Sequence, residues 1–160
     1  MGRFALSANP KAIEQAILAC DLEGLRSRIY SELSAGQQQR VLIARAMAQA
    51  TGAGRVMLLD EPISSMDLYH VQRTMITLTN LARSGLAILV VLHDLNLAAR
   101  YADDVWLMHE GQLAATGPWS QVLQPQMLEP VYGVKIRALT TTHTDRPIFF
   151  VESNDTLMLR

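Results

Sequence analysis

Apolar positions recur every three or four residues in three stretches of this 160-residue chain and run almost unbroken in two others. Ile13, Ala16, Ile17 and Cys20 mark one face of a first helix, which Asn9 caps and Pro10 opens. Leu22 to Glu32 is mixed and reads as a turn and an approach segment. Ser34 to Gly36 opens a second helix running to about Ala50, with Val41, Ala44 and Ala48 inward and Ile43 and Met47 flanking. Thr51-Gly52-Ala53-Gly54 breaks it. Val56 to Leu59 is an apolar run ending at Asp60, and Leu86 to Leu92 is another. Runs of that length predict strands buried on both faces. Between them Asp67 caps a helix from Leu68 to about Arg83, with Val71, Met75, Leu78 and Ala82 on one side and Gly85 ending it.

Strand, helix, strand with apolar strands is a βαβ unit and predicts a parallel sheet within an α/β fold. Function in such sheets collects at the carboxyl ends of the strands. Those ends read Asp60-Glu61 and His93-Asp94, which puts both polar pairs on one sheet edge. Further on, Leu95 to Tyr101 reads as a helix, and Val105–His109 and Gln112–Thr116 as a hairpin around Glu110-Gly111. Pro118–Leu123 and Pro125–Tyr132 read as short helices, and Lys135–Leu139 and Ile148–Glu152 as strands.

Composition narrows the function classes. A hydrophobic fraction of 49% supports a packed core. A net charge of −1 argues against a nucleic-acid-wrapping protein. Cys20 is the single cysteine, so no internal disulfide forms; beside Leu18 and Ala19 it reads as an apolar filler in a reducing compartment. The run Leu86 to Leu92 is far short of the ~20 residues a spanning helix needs. The first six residues fit neither a signal peptide nor, with Leu6 where Ser or Thr is required, a myristoylation signal. Trp106 and Trp119 read as packing residues, and the four histidines show no metal-ligand spacing.

Two stretches carry chemistry. A carboxylate at the end of a buried strand is fixed and has few competing waters, so Asp60 suits Mg²⁺ and Glu61 suits a general base for water. Ser34 and Gly36 stand at a helix start, where free N–H groups and the helix dipole favour an anion; a plain serine cap is the simpler reading of the same residues.

Leu33-Ser34-Ala35-Gly36-Gln37-Gln38-Gln39-Arg40 resembles the signature motif of ABC ATPases, and Val56 to Glu61 resembles their Walker B strand. Ile63-Ser64-Ser65-Met66-Asp67 resembles the D-loop and His93 the switch histidine, all in family order and spacing. The resemblance covers nearly the whole chain, with residues 1–4 similar to the segment after the Q-loop and 4–32 to part of the helical subdomain. It implies an incomplete P-loop NTPase (ABC ATPase) fold, with residues 1–50 a partial helical subdomain and 51–160 the C-terminal part of the ATPase core and its extension.

The resemblance also implies roles. Ser34, Gly36 and Gln37 would bind ATP held by a partner subunit, and Asp67 would lie across that dimer interface. Asp60 would serve Mg²⁺, Glu61 the hydrolytic water and His93 the γ-phosphate. Two departures stand out. Ala35 replaces the first glycine of the signature pair, which is tolerable if its φ is negative, and no Gly-x-x-x-x-Gly-Lys-Ser/Thr occurs in these residues. The chain alone is therefore expected to be inactive.

Val91 to Asp103 and the segments 117–123 and 128–134 resemble importers of iron chelates, haem and vitamin B12, and Asp67-Leu68-Tyr69-His70 most resembles the haem importers. That implies a homodimer of ATP-binding subunits on a pair of membrane permeases at the cytoplasmic face of the bacterial inner membrane. It implies a periplasmic substrate-binding protein as an indirect partner, and no nucleic acid. A soluble ABC ATPase and a truncated, non-catalytic remnant are the alternatives.

Overall fold

The computed structural model describes residues 9–50, 55–142 and 144–152. The glycine-rich break at 51–54 and the N-terminal residues 1–8 lie outside them. The chain divides into two units, Met1–Val91 and Leu92–Arg160.

The first unit opens with α1 (Pro10–Ala19), whose N-cap Asn9 accepts a hydrogen bond from the Lys11 N–H at 3.0 Å. Two 3₁₀ turns, Glu23–Leu25 and Tyr30–Glu32, lead to α2 (Ala35–Gln49). The two helices pack through Ala16, Cys20, Leu22, Ile43, Ala44 and Ala48. The small residues let the backbones approach; the larger Ile13 is instead 39% exposed and lines an open apolar groove of about 390 Å³ beside them. Arg40, not expected on the inner face, is buried there, while Val41 is half-buried.

Strand β1 (Val56–Asp60), helix α3 (Leu68–Arg83) and strand β2 (Ala87–Val91) form the expected βαβ unit. The strands pair in parallel, Val56 with Ala87 through Asp60 with Val91, so their carboxyl ends coincide. Burial on both faces does not hold: Met57 is buried, but Val56, Leu58, Leu89 and Val91 are exposed. Side chains of a strand alternate between faces, and α3 packs against β2 to cover one of them.

The second unit begins with α4 (Leu95–Tyr101), capped by the Asp94 carboxylate, which accepts from the Asn96 and Leu97 N–H groups. Strands β3 (Asp104–His109) and β4 (Gln112–Pro118) form a hairpin. Its two-residue turn has φ 48° at Glu110 and 76° at Gly111, the positive pair that matches strand twist. Helices α5 (Trp119–Val122) and α6 (Pro125–Tyr132) follow, then the antiparallel pair β5 (Ile136–Thr141) and β6 (Thr144–Val151).

The core of this unit is Ala99, Leu107, Val122, Leu123, Leu128, Ile136 and Phe149. Asn96 ties α4 to β6 with both arms of its amide: it donates to the Phe149 carbonyl at 3.1 Å and accepts from its N–H at 2.6 Å. The Arg146 guanidinium donates to the Ala99 and Ala102 carbonyls and lies 4.3 Å over the Trp119 ring. Trp119 thus packs as expected. Trp106 does not: Leu107 takes the inward position of β3, which turns Trp106 outward. Among the described residues, no helix is long and apolar enough to cross a membrane.

Two outcomes follow. Among the described residues Leu128 is the largest fully buried side chain, so Leu128→Ala is expected to cost about 2–5 kcal/mol, read from the urea midpoint with far-UV circular dichroism unchanged before the transition. Burial pushes the Cys20 thiol up to about 11. At neutral pH it stays protonated, so native Cys20 is expected to react with iodoacetamide far more slowly than in urea, where it returns toward its ordinary range.

Candidate functional site: the start of α2 and the exit from β1

Helix α2 starts abruptly because Ser34 is extended (φ −62°, ψ 159°) and closes a reciprocal cap. The Gln37 N–H donates to Ser34 Oγ at 3.3 Å, and the Ser34 N–H donates to Gln37 Oε1 at 3.0 Å. This engages two of the groups a helix start leaves open, a contribution of about 1 kcal/mol. Ala35 is the first helical residue and is not among the residues with positive φ, so its methyl group is accommodated.

Gly36 is required by a neighbour. A Cβ at this position would lie 2.5 Å from the Ser65 carbonyl oxygen and 3.7 Å from Met66 Cα. The loop that follows β1 therefore rests directly on the backbone of the second residue of α2.

That loop leaves the strand through a strained residue. Glu61 has φ 42°, a left-handed conformation uncommon for a non-glycine residue. Its carbonyl accepts from Gln39 Nε2 at 2.7 Å, from the Ser64 N–H at 3.3 Å and from Ser64 Oγ at 3.2 Å. These bonds hold the conformation, and the first ties it to α2. The buried Pro62 sits at the same corner.

The loop ends at Asp67, the N-cap of α3, whose Oδ1 accepts from the His70 N–H at 2.9 Å. His70 Nδ1 lies 2.9 Å from both Asp67 carboxylate oxygens. The backbone hydrogen bond from His70, then its side chain, hold the Asp67 carboxyl below the usual range. On its other side His70 Nε2 is 3.5 Å from Asp21 Oδ2. Arg40 and Arg73 each come within 3.6 Å of the same Asp21 carboxylate. They also cap the end of α1: Arg40 donates to the Cys20 and Asp21 carbonyls at 2.9 and 2.6 Å, and Arg73 to the Leu18 carbonyl at 3.0 Å. A guanidinium has enough donors to serve carbonyls and a carboxylate at once.

Ser34, Gly36, Gln37 and Asp67 thus line one polar cleft of about 160 Å³, together with Arg40, Ser65, Met66 and His70. Asp60 and Glu61 lie at the end of β1, beside the end of β2. His93 follows β2 by two residues and belongs to the second unit. Sequence reasoning missed Gln39, Arg40, Asp21 and His70. The one signal for Arg40 was its helical spacing, three residues before Ile43, which flanks the expected inner face. Among the described residues, no group of three or more His, Cys, Asp or Glu side chains is placed to hold a metal. Asp60 offers a single carboxylate, which suits a cation that draws its remaining ligands from phosphate and water.

A parallel strand pair ending in Asp60-Glu61, beside a serine-capped helix start, is part of the α/β core of a P-loop NTPase. Residues 7–64 match the family model described as ABC transporter. The chain is 38% identical over 146 residues to the hemin import ATP-binding protein HmuV of Mesorhizobium japonicum, covering 88% of this chain and 56% of that protein. It is similar to a structure described as a metal-chelate type ABC transporter in an inward-facing conformation (TM-score 0.75, 25% identity, 92% of this chain and 58% of that one). It is also similar to a dimeric ATP-binding cassette bound to ADP and Pi (TM-score 0.60, 28% identity, 68% and 46%). The chain belongs to the ABC transporter family, and it spans about half the length of the curated relatives it matches.

Gly36→Ala separates two opposing effects. Alanine gains about 1 kcal/mol of helix propensity over glycine. Here its methyl group meets a backbone carbonyl, which cannot rotate away, and overpacking of this kind costs about 1–3 kcal/mol. The expected result is a lower unfolding midpoint with amide shifts concentrated at residues 63–67.

Proposed function

We propose that this chain is part of the ATP-hydrolysing subunit of an ABC importer for haem or an iron-siderophore. One observation carries the reading: the serine-capped start of α2 and the D-loop end at Asp67 line one polar cleft, and the Glu61 carbonyl is bonded to the same helix. Residues 1–50 serve as part of the helical subdomain and 51–160 as the C-terminal part of the ATPase core.

In this reading Ser34, Gly36 and Gln37 face the phosphates of ATP bound to a second subunit, with Asp67 beside them. The Ser34 hydroxyl accepts from Gln37 within its own chain and keeps its proton to donate to a phosphate oxygen. The helix N-terminus supplies favourable potential for that negative charge. Asp60 holds Mg²⁺, which neutralises phosphate charge when bound. Glu61 accepts the proton of the attacking water, and its fixed left-handed backbone sets the direction of its side chain. His93 contacts the γ-phosphate.

The partners are a second ATP-binding subunit, a pair of membrane permeases at the cytoplasmic face of the bacterial inner membrane and, indirectly, a periplasmic binding protein. Haem is favoured because relatives from several bacteria carry the name hemin import ATP-binding protein.

The 160-residue chain by itself is expected not to turn over ATP, because the phosphate-cradling Gly-x-x-x-x-Gly-Lys-Ser/Thr loop does not occur in it. In a subunit completed with the N-terminal part of the Mesorhizobium relative, Glu61→Gln is expected to bind ATP normally and lose about 10²–10⁴-fold in hydrolysis rate. Near-parental turnover by that variant, measured by phosphate release, would remove Glu61 from the role given to it.

A further inference from the structure

Glu61 holds a backbone conformation that its own sequence opposes. At φ 42° the Cβ of a non-glycine residue crowds the following carbonyl oxygen, and extended backbone relieves the contact. Pro62 pulls the same way, because a proline ring pushes the residue before it toward extended backbone. Contacts made by the Glu61 peptide have to oppose both tendencies.

Three donors reach the Glu61 carbonyl, and they differ in origin. The Ser64 N–H at 3.3 Å and Ser64 Oγ at 3.2 Å belong to the same turn and move with it. Gln39 Nε2, at 2.7 Å the shortest of the three, comes from α2. That helix gives the turn a fixed reference: it begins at the reciprocal Ser34–Gln37 cap and packs on α1 through Ile43, Ala44 and Ala48. Gln39 itself is half-buried and is not among the residues lining the polar cleft.

The backbone decides where the Glu61 side chain goes. Asp60 pairs with Val91 at the end of β1, which fixes the strand up to the Glu61 amide. A change in φ then turns the Glu61 Cβ about its N–Cα bond while the strand stays in place. The carboxylate therefore leaves the strand end in different directions in the left-handed and extended forms. A general base works only within hydrogen-bond reach of the proton it takes, so the two forms cannot serve equally.

We propose that Gln39 is a positioning residue for Glu61: bonding the Glu61 carbonyl from α2, it holds the left-handed backbone that aims the carboxylate. The proposal rests on the reading of Glu61 as the base given above.

In the completed subunit, with rates taken per ATP-binding site, Gln39→Met is expected to lower kcat about 10²-fold and leave the KM for ATP unchanged. Gln39→Lys, which restores an N–H donor of similar reach, is expected to recover most of that loss. On a Glu61→Gln background Gln39→Met is expected to cost nothing further, because the group it positions is gone. A parental kcat in Gln39→Met, a comparably large rise in its KM, or a second full loss on the Glu61→Gln background would each overturn the proposal. Should Gln39→Met not fold, Gln39→Glu, of the same size and without the donor, is measured in its place. In the 160-residue chain the intraresidue HN–Hα cross-peak of Glu61, which positive φ strengthens, is expected to weaken in Gln39→Met and persist in Gln39→Lys. An unchanged cross-peak in Gln39→Met would also overturn the proposal. Near-parental turnover by Glu61→Gln alone would remove the reading of Glu61, and the proposal with it, while the cross-peak would still report the backbone bond.

Discussion

The first unit depends on one close approach, the Ser65 carbonyl against the backbone of Gly36. A side chain at position 36 would hold the loop away from α2. Without that contact Gln39 would lose its line to the Glu61 carbonyl, and the left-handed turn at Glu61 would lose its anchor to the helix. The strand end that carries the two acidic residues and the helix start that carries Ser34 are therefore one mechanical element. Glycine at this position serves the chain's own packing, and the open N–H groups of the helix start beside it are the feature suited to an anion.

Charge organises the other side of the same element. Helix α1 ends with carbonyls that have no helical partners, and Arg40 and Arg73 reach them from α2 and α3. Asp21 gathers both guanidiniums and the His70 ring around one carboxylate. The end of α1 is thus joined to α2 and α3 by groups of opposite sign. In the buried setting of Arg40, whose side chain is only 9% exposed, such contacts are screened far less than surface pairs.

Much of this was legible in the sequence. The caps Asn9, Ser34, Asp67 and Asp94 fix helix starts through local hydrogen bonds, so their residue types announce them. The parallel strand pair followed from two apolar runs joined by a helix, and Glu110-Gly111 marked its hairpin by turn chemistry. What could not be read were contacts between residues distant in sequence. Gln39 stands 22 residues from Glu61, and Arg73 stands 55 from Leu18. Polar residues on helices carry no periodic signal for such partners. Strand burial was also misjudged, because an apolar run states what a strand can bury and not what covers it. Leu58 is 70% exposed on the face that α3 does not reach.

The central claim is that the start of α2 and the loop after β1 are in direct backbone contact within one chain. Nuclear Overhauser spectroscopy on the isotopically labelled 160-residue chain tests it most directly. The Gly36 α-proton that takes the place of a side chain is predicted to give a cross-peak to the Met66 α-proton, since Met66 Cα lies 3.7 Å from that position. Absence of this cross-peak, in a sample whose spectra still show α1 packed on α2 through Ala16 and Ala44, would contradict the account.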